Sequence, residues 1–368
     1  LLPGAAVALF FAAAIPTGTI VDEVQGYALY LPSTYSPERA WPVIFAFDPR
    51  ARGRTPVERY QAAAEKYGYI VAGSNVSRNG SWEVSMNAAQ AMVADVSGRF
   101  HVDAKRVYAA GMSGGARVAM GIALGSNLMA GVIASSAGYP DSKPRKTVPF
   151  AVFGTAGTED FNYLEMRELD RTLTSPHRVA IFAGGHVWLS SELAMQAVEW
   201  MELQAMASGR AARNAGWIDR LYAARLAAAE SSSGAQAVRA LDAIAADFRE
   251  FKDVSAIADR AATMRKDRAV RQAFKHEQAE ERDEQHKLAG IFTLERQLAD
   301  REAHSLALSQ LREEWKRLRA DASAATDSSS RRVARRLTRS LAMSANERTN
   351  DPEYRKILSE FGRRPTTP

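Results

Sequence analysis

Val107-Tyr108-Ala109-Ala110-Gly111-Met112-Ser113-Gly114-Gly115-Ala116 is the stretch on which the fold turns. An apolar, β-rich run leads in, a helical pattern follows from Ala116, and between them stands a G-x-S-x-G sequence. A serine at such a strand-to-helix turn sits in strained backbone geometry at the carboxyl end of a sheet. Gly111 and Gly115 flank it because a Cβ at either place would meet neighbouring backbone as the chain reverses. The helix that follows aims backbone N–H groups and a partial positive charge at any oxyanion formed there. The Gly114 N–H is therefore the expected first oxyanion donor, and Met112 is an expected substrate contact.

Working outward, residues from about Tyr27 to Met206 alternate short apolar runs (43–47, 70–74, 107–110, 132–135, 150–153 and 179–182) with helical patterns (56–67, 87–100, 116–123, 163–173 and 191–206). That alternation predicts an α/β fold, a doubly wound, mostly parallel sheet covered by helices on both faces. After Met206 the strand runs stop, and Ala, Arg, Glu, Gln and Leu at helical spacing predict an all-α C-terminal extension. Serine-rich breaks fall at 231–234 and 327–330, and Leu221, Ala224, Leu226, Val238, Leu241, Ile244 and Phe248 suit the buried face of a helical hairpin. The expected division is 1–18 as a signal-peptide remnant, 19–206 as the α/β domain and 207–368 as the helical part. The α/β domain is expected to fold without the helices.

A lone G-x-S-x-G arises by chance, so its partners decide its meaning. The order required is serine, then an acid, then histidine. The run 150–153 leads to Gly157-Thr158-Glu159-Asp160-Phe161-Asn162, where an orienting carboxylate belongs. Asp160 is the choice, with Glu159 as close competitor and Asp141 and Asp170 as more distant ones; a plain helix cap at Asp160 is the alternative. The run 179–182 leads to Gly184-Gly185-His186-Val187-Trp188, a glycine-rich loop from which His186 can reach a serine at the sheet edge. His186 would take the Ser113 proton, Ser113 would attack an ester carbonyl, and Asp160 would stabilise the imidazolium.

Together GMSGG, GTEDFNY and GGHVW resemble the α/β-hydrolases, and within them the dienelactone-hydrolase and poly(3-hydroxybutyrate)-depolymerase-like esterases, over residues 20–205. The resemblance implies a serine hydrolase of carboxylic esters. It departs from many relatives after the run 43–47, where Asp48-Pro49-Arg50 replaces a His-Gly pair. Pro49 has no N–H, so the Arg50 amide is the expected second oxyanion donor. Asn79, Trp82 and Trp188 are expected to line the same edge, the two tryptophans bracketing an acyl group, with plain core or loop tryptophans as the alternative. Arg50, Arg52 and Arg54 would attract an acidic substrate, or be solvated loop charges.

The rest of the chain narrows the classes. There is no cysteine, and the six histidines show no metal-ligand spacing, so neither thiol chemistry nor a metal site is expected, and no cofactor. The apolar run 1–14 is too short to span a membrane and resembles the h-region of an export signal, so the expected location is secreted or periplasmic, and cytoplasmic if that segment is not a signal. The net charge of +6 gathers in the helical half, most densely at Arg331, Arg332, Arg335, Arg336 and Arg339. No aromatics lie among them, so a solvated helix face is expected and no nucleic acid. The expected partner is a small-molecule ester, with an oligomer or protein contact through the helices left open. A serine peptidase of the same fold, or a scaffold working through the helical part, are the competing functions.

Overall fold

Alternation along the strands divides the core into two apolar layers. In β3 (Trp41–Phe47), Val43, Phe45 and Phe47 pack to one side of the sheet and Ile44 and Ala46 to the other. β4 (Ile70–Ser74) divides in the same way, Ile70 and Ala72 against Val71. β5 (Val102–Met112) sends Val107 and Ala109 one way and Tyr108, Ala110 and Met112 the other. A strand apolar on both faces needs helices on both. α2 (Trp82–Arg99), α3 (Gly114–Gly125) and α4 (Tyr163–Thr172) cover the first layer through Ala89, Met92, Val96, Ala119, Met120 and Leu169. α1 (Arg54–Tyr67) and α5 (Ser191–Ala207) cover the second through Val57, Tyr60, Ala63, Ala197, Val198 and Met201.

The computed structural model describes residues 15–23, 26–141, 143–348 and 350–361; the apolar run 1–14 expected as an export signal lies outside them. Among the described residues eight strands form one sheet in the order β1-β2-β4-β3-β5-β6-β7-β8. β1 (Ile20–Glu23) and β2 (Tyr27–Tyr30) are an antiparallel edge, and β3, β4, β5, β6 (Gly131–Ser135), β7 (Ala151–Gly157) and β8 (His177–Phe182) run parallel. This is the α/β-hydrolase order. The helices after β3 and β5 leave to opposite faces, so the crevice where ligands bind opens at the carboxyl ends of those two neighbouring strands.

All six expected runs fall on strands, Phe150 alone standing just before β7. β1 and β2 are additional; with four residues each they are too short to show a period of two. β5 starts earlier than its apolar run because Asp103, Lys105 and their neighbours extend the strand beyond the buried part of the sheet.

The second half is helical throughout its described residues. α6 (Ala215–Glu230), α7 (Gly234–Phe248) and α8 (Ser255–Met264) close a third cluster in which Leu241, Ile244 and Phe248 meet Leu203 and Met206 of α5. α9 (Arg268–Gln297), α10 (His304–Ala322), α11 (Ser329–Arg348) and α12 (Pro352–Phe361) close a fourth around Leu311, Trp315, Leu337 and Tyr354. Among the described residues no helix is long and apolar enough to cross a membrane.

Candidate active site

The elbow is built by close backbone approach. Ser113 holds φ 54° and ψ −123°, a conformation that costs a non-glycine residue of order 1–3 kcal/mol. A Cβ on Gly111 would stand 2.1 Å from Gly115 O, and one on Gly115 would stand 1.9 Å from Phe47 O, so both positions exclude a side chain. The strained turn is fixed from both sides. The Ser113 N–H donates to Ser135 O (2.9 Å), and Ser113 O accepts from Ala116 and Arg117 as α3 begins.

The carboxylate and the imidazole expected as partners of Ser113 follow β7 and β8. Past β7 the chain is tied to the loop after β8: Thr158 N–H donates to Phe182 O (2.9 Å) and Glu159 N–H to Gly184 O (2.7 Å). Asp160 is fully buried, its Oδ1 accepting from the Asn162 amide (2.9 Å) and from His186 Nδ1 (2.8 Å). With Nδ1 as donor, Nε2 is left as the basic nitrogen. Phe161 stacks on the imidazole at 3.9 Å and 28°, fixing the ring plane. Ser136 joins the pieces, its Oγ donating to Val187 O (3.1 Å) and its carbonyl accepting from Asn162 Nδ2 (2.7 Å). Ser113 and Val187, next to His186, are thus bonded to the successive residues Ser135 and Ser136. Among the described residues no hydrogen bond joins Ser113 Oγ to His186, a contact that is often loose before substrate binds.

The other carboxylates have other partners. Glu159 is paired with Arg335 (2.8 Å) and Arg331 (3.3 Å). Asp141 pairs with Arg145, and Asp170 with Arg167.

Several expected contacts are corrected. The Arg50 N–H donates to Asp48 Oδ1 (2.8 Å), so it is already engaged and does not offer a free donor to an oxyanion. Asp48 is fully buried and also accepts from Arg52 and from Trp188 Nε1 (2.8 Å). Burial raises its pKa, but these donors outweigh that and hold the carboxyl below its ordinary value. Trp188 is a buried anchor of the second apolar layer because its indole N–H needs that carboxylate. Met112 is likewise buried in that layer, beneath the elbow. Trp82 is half-exposed and lies against Gly121, two turns along α3, so the tryptophans do not bracket a common space. Asn79 does stand at the elbow. Its N–H donates to Pro49 O (2.9 Å), and its Oδ1 lies 1.8 Å from where a Gly114 Cβ would be.

The arginine cluster faces inward, against expectation. Arg336 is fully buried, donating to Glu284 (2.7 Å), Glu280 (3.0 Å) and the carbonyl of Thr158, while Arg332 pairs with Glu280 (2.6 Å). With Arg331 and Arg335 on Glu159, α11 holds the loop that carries Asp160. The glutamates at 280, 281 and 284 recur at helical spacing on α9, a stripe complementary to that of α11; the sequence displays both stripes but not their pairing. Asp48, Ser136 and Phe161 also escaped sequence reading, since only tertiary contact gives them a role. Among the described residues no group of three or more His, Asp and Glu side chains is arranged to hold a metal ion.

No family model and no curated protein matches the sequence. Solved structures similar to it include an S-formylglutathione hydrolase from Staphylococcus aureus, at 16% identity over 48% of this chain and 89% of that one, with a TM-score of 0.38. A propionate-bound esterase from Thermogutta terrifontis is 16% identical over 55% of this chain and 96% of that one, with a TM-score of 0.38. An esterase from Pyrobaculum calidifontis is 11% identical over 52% and 87%, with a TM-score of 0.41. The fold assignment rests on the strand order and register.

Proposed function

We propose that this chain is a serine hydrolase that cleaves carboxylic esters through an acyl-enzyme on Ser113. The observation that carries the reading is the His186 Nδ1 to Asp160 Oδ1 bond of 2.8 Å, at the sheet edge where Ser113 holds its strained turn. In the reading, His186 Nε2 takes the Ser113 proton as Oγ bonds to the ester carbonyl carbon. The charge on the carbonyl oxygen is met by the Gly114 N–H, and the Asn79 carboxamide, beside Gly114, gives the second hydrogen bond in place of the engaged Arg50 amide. The tetrahedral intermediate collapses, His186 returns the proton to the departing alcohol, and water activated by His186 releases the acid. Asp160 stays ionised and steadies the imidazolium.

Hydrolysis of p-nitrophenyl butyrate by the purified chain and by Ser113→Ala tests this. The expected result is turnover in the parent and a loss of several orders of magnitude in the variant. Equal turnover in both, or none in either, overturns it. A matching p-nitroanilide run alongside separates esterase from peptidase, and faster anilide cleavage would favour a peptidase.

A further inference from the structure

Three arginines follow β3, and the structure gives them different surroundings. Arg52 is bound to Asp48 (2.9 Å), and Arg54 to Glu58 (3.0 Å) and Asp22 (3.6 Å). Arg50 is exposed, and among the described residues no carboxylate pairs with it. Directly across from it, in an isolated antiparallel bridge, stands Arg78, also exposed and also without a carboxylate partner among the described residues. Residues opposed in such a bridge project to the same side, and like charges placed so repel. The bridge therefore sets two arginines side by side, and no carboxylate among the described residues pairs with either.

The bridge lies on the elbow. Asn79, next to Arg78, touches Gly114 and bonds to Pro49, next to Arg50; Gly115 packs on Phe47 O with Asp48 N beside it. Arg78 is thus one residue, and Arg50 two, from groups in contact with the residues that follow Ser113, within the reach of an arginine side chain. Glu159, beside Asp160, is already covered by Arg331 and Arg335. Two exposed arginines with no carboxylate partner among the described residues favour the approach of an anion to this edge.

We infer that Arg50 and Arg78 together bind an anionic group, a carboxylate or a phosphate, on the substrate ester. The inference rests on the hydrolase reading above and narrows its substrate class to esters with a charged arm. Guanidinium forks suit the paired oxygens of either group.

The test compares p-nitrophenyl hydrogen adipate with p-nitrophenyl hexanoate, acyl chains of equal length of which one ends in a carboxylate. In the parent, kcat/KM for the adipate half-ester is expected to exceed that for hexanoate by about tenfold or more at low salt. The ratio should fall as ionic strength rises, since the pair is exposed. Arg50→Gln and Arg78→Gln should each lower the ratio about tenfold, while Arg59→Gln, an exposed α1 arginine away from the bridge, should leave it unchanged. Because the readout is a ratio within one preparation, partial misfolding of a variant cancels. Inorganic phosphate and succinate, compared at equal ionic strength as competitors of hexanoate hydrolysis, identify the anion by whichever inhibits more strongly. A parent ratio near one, a ratio indifferent to salt, or no competition by either anion overturns the inference while leaving the hydrolase reading intact. Turnover of neither ester, with no labelling of Ser113 by a fluorophosphonate, removes the reading and the inference together.

Discussion

At the residue scale the decisive question is which of two adjacent carboxylates serves His186. Asp160 is buried against the imidazole, whereas Glu159 turns outward to Arg331 and Arg335. Asp160→Asn is therefore expected to lower kcat by about 10³–10⁴-fold, since the amide no longer holds the required tautomer. Glu159→Gln should change kcat by less than about tenfold while lowering stability, because a part-buried pairing with arginine is lost. Steady-state kinetics and urea unfolding of the two variants read both effects. Asn79→Ala is expected to cost about 10²-fold in kcat with little change in KM, the mark of a group that acts on the oxyanion; an effect confined to KM would make Asn79 a binding residue only. The strand-to-helix turn at Ser113 and the glycine-rich loop carrying His186 were legible because each is announced by its own local chain pattern. The sequence favoured Asp160 over Glu159 but did not show the reason, since these neighbours are told apart by arginines some 170 residues away, as the pairs Arg331–Glu159 and Arg335–Glu159 show. Nor were the roles of the Arg50 amide, Met112 and Trp188 legible, since they depend on what Asp48 accepts and which face of the sheet they meet.

At the scale of elements, the joint between β5 and α3 is made by contact with the end of β3, and its tolerance is small. Gly115→Ala places a Cβ against backbone at Phe47, where nothing can swing aside, so a loss of about 1–3 kcal/mol or more is expected. Differential scanning calorimetry would show it, and an unchanged Tm would mean the strand and helix can part without cost. The α9–α11 contact carries a pH dependence of its own. Burial, reinforced by Glu280 and Glu281, pushes Glu284 from 4.5 up to about 7, although Arg336 pulls the other way. The folded chain then holds a proton that the unfolded chain releases above the ordinary carboxyl range. Stability contributed here is highest at low pH and declines as pH rises from about 4.5 to 7, with no further change above. Glu284→Gln should flatten that decline, and urea midpoints for parent and variant across this range test it. Strands and helices of the first half were legible because their period of burial is written in apolar residues. The inward-facing charges of α9 and α11 were not, because a charged stripe on a helix ordinarily faces water.

At the scale of the whole molecule the helical half is structurally continuous with the sheet it follows. A chain ending at Met206 would keep α5 nearly whole but strip the cover from Leu203 and Met206. It would also remove Asp247, which accepts from the indole of buried Trp200 (2.7 Å) and from Arg178 (2.9 Å), and the arginines that hold Glu159 and Thr158. Each polar group left buried without its partner costs about 1–3 kcal/mol, and together they approach the whole stability of an ordinary domain. Truncation after Met206 is therefore expected to give insoluble or inactive protein, in contrast to the autonomy that the change of sequence grammar suggests. A point variant separates lost cover from lost positioning. Arg336→Met leaves Glu280 and Glu284 buried without that guanidinium, expected to cost about 3–5 kcal/mol, and releases the Thr158 carbonyl two residues before Asp160. If α11 positions the acid loop, kcat for ester hydrolysis falls in the folded fraction of Arg336→Met, KM moves little, and Arg336→Lys recovers part of the rate. A variant that is destabilised but turns over at the parent rate when folded would assign α11 to stability alone, and the catalytic edge would then owe its geometry to the sheet.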